Sequence, residues 1–352
     1  MPPARRQLLT RFAEDHCPAS VSSIQPASSD ASFRSYWRVA MEGQPPLVIM
    51  DAPPDREDID PWLDIGSRLR AAGLHAPAVL AADRRNGFVL MEDLGVRTFL
   101  PELSDGNVDG LYGDALAALL RMQERVDTSG LPPYDRRRLV DELELMPEWF
   151  LQRHLGFTPS CEEWDVIEAA FTVLIQAALE QPRAFVHRDY HSRNLLVVRE
   201  SGIGNRESEK QVLENPGIID FQDAVDGPIT YDLVSLLRDC YIEWPAERVE
   251  AWMAEHHQRL SAAGLMNAEV GLDRFRRWFD LMGLQRHLKV LGIFCRLWYR
   301  DAKAQYLGDL PMVWRYALDV ANRYPELAAL AELLERARAG RDLAEARREL
   351  PA

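Results

Sequence analysis

The chain lacks several features that mark particular protein classes. Its four cysteines are spread along 352 residues, and none forms a Cys-x-x-Cys pair. This pattern favours free thiols in a reducing compartment over a zinc site or a disulfide framework. No apolar run approaches the roughly 20 residues that cross a bilayer, and the N-terminus lacks the apolar core of a signal peptide. We therefore expect a soluble, cytoplasmic protein that does not bind a membrane.

Basic charge is also scarce. The sequence has 41 basic and 55 acidic residues, which gives a net charge of −14. A protein that binds nucleic acid needs a basic face, so we expect no nucleic-acid partner. The hydrophobic fraction of 47% and the charged fraction of 27% are those of an ordinary globular protein. The length is sufficient for two lobes, and we expect a monomer.

The main functional signal comes from two motifs that follow apolar strands. The first, from Phe185 to Val197, contains the pattern His-Arg-Asp-x-x-x-x-Asn with Asp189 and Asn194. The second ends in Asp220, 26 residues after Asn194. In kinases one carboxylate accepts the proton of the attacking hydroxyl, while an Asn and a second Asp hold magnesium. The order and spacing therefore predict phosphoryl transfer. A His-Asp turn with a purely structural role would not account for the oxygen ligands after both strands.

Each motif residue receives a predicted role. Asp189 is the predicted base, and Asn194 and Asp220 are the predicted Mg²⁺ ligands because hard cations prefer oxygen. His191 occupies the position where protein kinases have a Lys near the transferred phosphate, so we predict a catalytic role for it. A packing imidazole is the alternative for His191, and His187 would orient the loop from beneath. The expected cofactors are ATP and Mg²⁺.

The order of predicted elements indicates an α+β fold with two lobes. Residues 1–93 read as a short helix, strands and one further helix that Asp60 would cap. Residues 94–352 have mainly helical periodicity, and strands return only around the two motifs. The polar segment Glu200–Pro216 would be a solvated loop between the motif strands. We expect a protein-kinase-like layout, with a small β-rich nucleotide-binding lobe and a larger helical lobe for catalysis and substrate binding.

Two phosphate-binding features of protein kinases are missing. The third predicted strand ends in Val48-Ile49-Met50-Asp51, without the Lys of the Val-Ala-Ile-Lys motif, and no Gly-x-Gly-x-x-Gly loop precedes it. A serine-rich segment takes the place of that loop. We expect Ser32 and backbone N–H groups there to hold phosphate, and Arg34 to supply the missing positive charge. The missing Lys also permits a pseudokinase, but the intact catalytic motifs argue against one.

The predicted connector between the lobes, residues 91–95, is the expected adenine site. Main-chain groups of Glu92 and Leu94 would pair with the edge of the base. Met91 would line the pocket wall with a flexible apolar side chain. An ordinary strand end is the alternative for this segment.

These residues resemble the aminoglycoside phosphotransferase-like kinases, a small-molecule branch of the protein-kinase fold, over about residues 20–325. Within that family, four segments look like the bacterial anomeric kinases of N-acetylmuramic acid and N-acetylglucosamine. The segments are Asp30–Arg34, Val48–Pro54, His187–Asn194 and Leu297–Asp301. The resemblance implies transfer of phosphate to the C1 hydroxyl of a small amino sugar during cell-wall recycling. It also implies that Asp232 fixes the catalytic loop.

The sequence defines the contacts to a sugar less sharply. A stripe at helical spacing, from Leu284 to Trp298, predicts a buried helix face. Lys289, Arg296 and Arg300 fall on another face, which is either solvated or in contact with the lactyl carboxylate of N-acetylmuramate. Tyr299 would stack on a sugar ring. The candidate substrate residues are Gln222, Asp223, Arg296, Tyr299 and Arg300.

Two other functions stay open at this point. A kinase of another small metabolite, of the aminoglycoside or choline type, would want carboxylates near the base, and Asp223 and Asp226 permit this reading. A nucleotide-binding regulator would bind ATP without turnover. An assay of phosphate transfer to a panel of sugars and amines distinguishes a sugar kinase from a kinase of another metabolite. ATP binding without any product would identify a regulator.

Overall fold

The chain divides into two compact units. The computed structural model describes residues 1–29, 33–198 and 215–347. Residues 1–127 and 193–224 form the first unit, and residues 128–192 and 225–352 form the second. This division differs from the expected lobe boundary near residue 93, which stays a prediction. Ser32 and most of the predicted loop Glu200–Pro216 lie outside the described residues.

A five-stranded antiparallel sheet forms the centre of the first unit. Its strands are β1 (Val21–Ser29), β2 (Ser35–Met41), β3 (Gln44–Asp51), β4 (Val79–Asp83) and β5 (Phe88–Glu92), in the order β1-β2-β3-β5-β4. The predicted Asn-Gly turn between β4 and β5 is confirmed. Gly87 has φ of 70° there, and a Cβ atom would stand 1.8 Å from the Ala52 carbonyl oxygen, so only glycine fits.

Four helices of the described chain belong to the first unit: α1 (Pro3–His16), α2 (Asp60–Ala71), α3 (Phe99–Glu102) and α4 (Val108–Arg125). Helix α1 buries Leu9 and Phe12 against the sheet residues Ile49 and Phe88. Full burial of each such side chain stabilises the fold by about 1.5–3 kcal/mol. The first helix is therefore an integral part of this unit's core.

Helix α2 confirms the predicted helix but corrects its cap. Asp60 is the first helical residue and not the N-cap, which is Ile59. The prediction was wrong because Asp58 supplies the acceptor, since its carboxylate accepts the Asp60 N–H at 2.9 Å. A side chain two residues earlier thus caps the turn in the way typical of Asp.

Two short strand pairs carry the motif segments. In the first unit, β7 (Leu195–Leu196) pairs with β8 (Gly217–Ile218). In the second unit, β6 (Arg183–Val186) pairs with β9 (Val225–Pro228). Asn194 and Asp220 therefore flank the first pair, and Asp189 follows β6. The Ile219 N–H donates to the Asn194 carbonyl oxygen at 3.2 Å, which joins the two metal-ligand candidates through their backbone.

Helices make up most of the second unit. They are α5 (Arg136–Leu143), α6 (Cys161–Leu179), α7 (Tyr231–Leu237), α8 (Ala246–Ala262), α9 (Leu272–Tyr299), α10 (Leu310–Arg323) and α11 (Ala328–Arg338). A π-helical stretch, Met146–Leu155, packs against α9. Gly292 permits the close approach, because a Cβ atom there would lie 2.3 Å from the Leu145 carbonyl oxygen. None of the described helices is long and apolar enough to cross a membrane.

Helix α9 is buried over most of its length. The predicted apolar stripe is confirmed from Leu284 to Cys295, since Leu284, Leu288 and Leu291 have no exposed surface, whereas Trp298 at its end is half-buried. The expectation of a solvated face is wrong for Lys289, which is only 8% exposed. The reason is that α9 packs against helices on several sides, so its polar positions also face protein.

Candidate active site

The loop that carries Asp189 is held by a buried carboxylate. Asp232 accepts the N–H groups of His187 at 2.6 Å and Arg188 at 3.0 Å, as the family resemblance implied. Arg188 has φ of 77°, a left-handed conformation that a residue with a Cβ atom rarely adopts. The Nδ1 atom of His187 accepts the Asp189 N–H at 3.3 Å. These bonds fix a strained turn immediately before the predicted base.

A second buried carboxylate, Asp239, holds the other side of the same loop. It accepts the Ser192 N–H at 2.9 Å, the Ser192 hydroxyl at 2.5 Å and the Tyr241 N–H at 3.1 Å. The sequence reasoning missed this residue. Its signal was an Asp that closes the apolar run of α7, where an unpaired carboxylate would be costly.

Asp189 and His191 line one small cavity of about 140 Å³ in the second unit. Two cations of α9, Arg286 and Lys289, lie in the same wall. The aromatic rings of Tyr241, Phe294 and Tyr306 form another part of the cavity wall. The Phe294 ring centroid is 6.0 Å from that of Tyr241 and 5.2 Å from that of Tyr306. The wall therefore combines one carboxylate, two cations and a surface on which a sugar ring can stack.

The surrounding charges favour an ionised Asp189. Burial alone would raise the pKa of this carboxyl group, but four basic side chains outweigh burial and hold the pKa below its ordinary value. Those side chains are His191, Lys289, Arg188 and Arg286. A carboxylate in this state can accept a hydrogen bond from a hydroxyl group and then its proton.

A buried ionic cluster stands behind Lys289. Glu142 accepts hydrogen bonds from Lys289 Nζ at 3.0 Å, from Arg188 Nη2 at 2.5 Å and from the Tyr134 hydroxyl. Burial would raise the pKa of Glu142, but these three partners lower it to about 2. Lys289 Nζ also donates to the Tyr231 hydroxyl at 3.0 Å. The cluster fixes the ammonium group at the edge of the Asp189 cavity.

A larger cavity of about 640 Å³ in the second unit shares Lys289 with the Asp189 cavity and contains Arg296. Tyr299 and Arg300 line neither cavity. The Tyr299 hydroxyl lies 3.0 Å from His154 Nδ1 and accepts the Arg347 N–H at 3.0 Å. Arg300 is exposed and pairs with its neighbour Asp301. The structure therefore brings Arg296, but not Tyr299 or Arg300, to the cavities around Lys289.

In the first unit, a cavity of about 440 Å³ brings together most of the predicted nucleotide residues. Met91, Glu92 and Leu94 line it together with Asn194 and Asp220. Apolar side chains, among them Val48, Leu196 and Ile219, form its walls. A concave, largely apolar site with a few convergent polar groups is what a small ligand requires.

The backbone N–H groups of the connector, residues 91–95, differ in whether they can donate a hydrogen bond to a nucleotide base. The Glu92 N–H already donates to the Ala78 carbonyl oxygen at 2.9 Å. The Glu92 carboxylate accepts the Ala78 N–H at 3.1 Å and lies 3.0 Å from His75 Nε2. Within the described residues, the Leu94 N–H donates to no backbone oxygen. Leu94 thus keeps a donor for the edge of a base, whereas the Glu92 N–H is occupied.

Asp220 is surrounded by polar groups of the first unit. Arg34 Nη2 and Gln222 Nε2 lie 3.5 and 3.0 Å from its Oδ1 atom, and Asn194 Nδ2 lies 3.4 Å from Oδ2. Asp220 has φ of 62°, a second left-handed backbone in a functional motif. Gln222 also donates to the exposed Asp223 at 3.2 Å. Gln222 and Asp223, predicted as substrate residues, therefore accompany Asp220 in the first unit.

The oxygen atoms around Asp220 fit a hard cation. The buried Oε1 atom of Gln222 has no hydrogen-bond partner among the described residues. Asn194 and Asp220 add amide and carboxylate oxygens, the donor types that Mg²⁺ prefers. No three His, Cys, Asp or Glu side chains of the described chain form a metal cluster. Mg²⁺ in phosphoryl-transfer sites commonly uses one or two carboxylates and takes its other ligands from water and substrate phosphates.

The strand that ends in Lys in protein kinases ends differently here. The Asp51 carboxylate accepts Arg5 Nε of α1 at 2.7 Å. No lysine occurs in the sequence before Lys210, so this strand has no lysine substitute nearby in the chain. Arg34, which is 8% exposed and lies beside Asp220, is the candidate cation at this position.

Comparison with known proteins agrees with this geometry. The model of the phosphotransferase enzyme family, APH, matches residues 23–266. The chain is 44% identical to the N-acetylmuramate/N-acetylglucosamine kinase of Pseudomonas putida, over 90% of this chain and 89% of the relative. It is 46% identical to the kinase of the same name from Pseudomonas aeruginosa, over 89% and 88% of the two chains.

Solved structures show the same fold at low sequence identity. An ADP-bound aminoglycoside phosphotransferase matches with a TM-score of 0.58 at 14% identity, over 91% of this chain and 99% of the other. A choline kinase from Cryptosporidium parvum matches with a TM-score of 0.57 at 10% identity, over 94% and 99%. The predicted α+β, kinase-like fold is confirmed, and the chain belongs to the APH phosphotransferase enzyme family.

Proposed function

We propose that this protein is an ATP-dependent kinase that phosphorylates the C1 hydroxyl of N-acetylmuramic acid and N-acetylglucosamine. The proposal places it in the cytoplasm, as a monomer, in the recycling of cell-wall sugars. Its support is the similarity to the two Pseudomonas kinases along nearly the whole chain. The observation that carries the reaction type is Asp189 in a loop held by two buried carboxylates, among basic side chains that lower its pKa.

In the proposed reaction, Asp189 orients the sugar hydroxyl and accepts its proton while the new O–P bond forms and the bond from the γ-phosphorus to the ADP oxygen breaks. A C1 hydroxyl belongs to a hemiacetal and is more acidic than an ordinary alcohol, which lowers the demand on the base. His191, in the same wall, would contact the transferred phosphoryl group. Preorganised charge of this kind is the main source of catalysis in phosphoryl transfer.

The nucleotide is assigned to the cavity of the first unit. Leu94 would donate its N–H to adenine, the Glu92 carbonyl group would accept, and Met91 would line the wall. Asn194 and Asp220 would hold Mg²⁺, which neutralises phosphate charge when bound. Arg34, with Ser32, would contact the phosphates in place of the missing lysine.

The charge of the Asp189 cavity argues against a cationic substrate. Asp189 is the one carboxylate among the described residues that line it, whereas Arg286 and Lys289 are both cations. An aminoglycoside or choline would meet like charge there, and like charges at close range disfavour binding. Asp223 and Asp226, which left that reading open, do not line this cavity.

A direct assay tests the proposal. The full-length protein is incubated with ATP, Mg²⁺ and either sugar, and ³¹P NMR locates the new phosphate. We expect a sugar 1-phosphate, no reaction of 1-O-methyl glycosides and continued reaction of substrates altered at C6. Phosphorylation of the 1-O-methyl glycoside would contradict the anomeric assignment. Turnover of aminoglycosides or choline, but not sugars, would favour the second kinase type, and ATP binding without product would identify a regulator.

A further inference from the structure

Arg286 is a buried cation that forms no direct salt bridge in the described part of the chain. Its side chain lies on α9, is 4% exposed and lines the cavity that contains Asp189. Its one hydrogen bond among the described residues runs from Nη1 to the Cys240 sulfur at 3.0 Å. Burial raises the pKa of the Cys240 thiol, so the sulfur stays neutral. The guanidinium group therefore hydrogen-bonds a neutral partner, while the carboxylates Asp189 and Asp239 act on it only without a direct ion pair.

Other buried cations of the second unit are paired, which makes Arg286 an exception. Arg238 donates to Asp280 at 2.6 Å, and Arg188 and Lys289 both donate to Glu142. Burial of a charge is costly unless a partner compensates it. A guanidinium group is always protonated and has five N–H donors, so Arg286 keeps several donors for a partner that is not part of the described chain.

The location of Arg286 limits the partner to an anionic group of a small ligand. Lys289 follows three residues later on α9, so the two cations lie on the same side of the helix. The cavity of about 140 Å³ that they line also contains the predicted base Asp189 and the rings of Tyr241 and Tyr306. A planar carboxylate matches the fork of a guanidinium group, and the aromatic wall suits a sugar ring.

We propose that Arg286, with Lys289 beside it, binds the carboxylate of an acidic sugar substrate, which is the lactyl ether of N-acetylmuramate. This inference rests on the proposed function, because it takes the substrate of that same site to be an amino sugar. A transferred phosphoryl group is the other oxyanion with suitable chemistry. The two differ in one respect: every substrate receives the phosphoryl group, whereas only N-acetylmuramate has the carboxylate.

The first arm of the test changes the substrate and leaves the protein intact. The wild-type enzyme is assayed with N-acetylmuramate, its methyl ester and N-acetylglucosamine. Hydrogen bonds to charged groups correspond to about 10- to 150-fold in kcat/KM. We expect the ester to react that much more slowly than the acid. An ester as good as the acid would overturn the proposal, while a wild type inactive on all three sugars would instead contradict the proposed function.

The second arm changes Arg286 and completes a double-mutant cycle. Arg286→Met should lose about 10- to 150-fold more in kcat/KM for N-acetylmuramate than for the ester or for N-acetylglucosamine, on top of any loss that all three sugars share because Arg286 also acts on Asp189. Arg274→Met is the matched control, because Arg274 is an exposed residue of the same helix. Equal losses for all three sugars would assign Arg286 to the phosphoryl group and overturn the proposal, and so would no loss at all.

The third arm measures binding without turnover. It also includes a second variant, Arg286→Lys, in case Arg286→Met does not fold. In an Asp189→Asn background with ADP present, calorimetry should give a weaker Kd for N-acetylmuramate when Arg286 is replaced, with N-acetylglucosamine unchanged. Arg286→Lys keeps the buried charge but loses the planar fork, so it should fold and show an intermediate loss for the acid alone. Wild-type affinity for the acid in Arg286→Lys and Arg286→Met would overturn the proposal.

Discussion

The two units hold their functional charges in different ways. In the first unit, Arg34 Nη2 lies 3.5 Å from Asp220 Oδ1, and about a third of the Asp220 side chain is exposed. Behind Asp189 in the second unit, Glu142 ties two cations together at 3.0 Å or less, and all three side chains are mostly buried. A looser arrangement can accept a metal ion and phosphates, whereas a buried ionic cluster fixes charge at one place.

The largest expected effect is at the base itself. Asp189→Asn keeps the size of the side chain but cannot accept the proton, so kcat should fall by about 10²- to 10⁴-fold. Nucleotide binding, which we propose for the first unit, should stay within a few-fold of wild type. Steady-state kinetics and ADP titration measure the two effects. Turnover close to the wild-type rate would show that Asp189 is not the base.

The buried cluster offers the sharpest test of stability. Glu142→Gln leaves Lys289 and Arg188 without a countercharge, and breaking a buried pair in this way costs about 3–5 kcal/mol. Urea unfolding at pH 7 measures the loss. The control is Glu250→Gln, which breaks an ion pair with Arg276 on the surface and should cost about 0–1 kcal/mol. Similar losses in the two variants would mean that the cluster is hydrated.

Acid should weaken the second unit through the same cluster. The pKa of Glu142 is lowered from 4.5 to about 2 in the folded protein. Its contribution to the free energy of unfolding is therefore complete above about pH 5 and is lost as the pH falls towards 2, by about 3 kcal/mol. Unfolding measured at several pH values should show the difference between wild type and Glu142→Gln shrink in this range. A constant difference would contradict the pKa shift.

The smallest of these effects is expected in the first unit. Arg34→Ala removes the cation beside Asp220 and should raise the KM for ATP, lower kcat or do both, by about tenfold or more. Arg84→Ala is a suitable control, because Arg84 is an exposed residue paired with Asp60. If ATP kinetics in Arg34→Ala matched those of the control, the missing lysine would have no replacement at Arg34.

The sequence was most informative where chemistry restricts the residue type. Asp189, Asn194 and Asp220 were recognised because a fold seldom needs oxygen ligands directly after two apolar strands for packing alone. The Asn-Gly turn was recognised because only glycine fits its backbone. The predicted roles of the three polar residues in catalysis and metal binding stay predictions until the variants are assayed.

Burial of charge was not visible in the sequence. Arg286 was not singled out, and Lys289 read as part of a face that is either solvated or in contact with a sugar, because periodicity reports one apolar face and not how many neighbours surround the helix. Asp239 and Glu142 were missed for the same reason, since their partners come from distant segments. The predicted cap of α2, Asp60, was wrong because Asp58 and Asp60 are both suitable acceptors, and the sequence does not show which of them the local geometry selects.

Helix α1 has a practical consequence for anyone who handles this protein. Its Arg5 neutralises Asp51 at the end of β3, and its Leu9 and Phe12 lie in the core of the first unit. Removal of the first 16 residues would leave an acidic group without its cation and a bare apolar face on the sheet. Affinity tags and fusion partners are therefore better attached at the C-terminus, and an N-terminal truncation should precipitate more readily than the full-length chain.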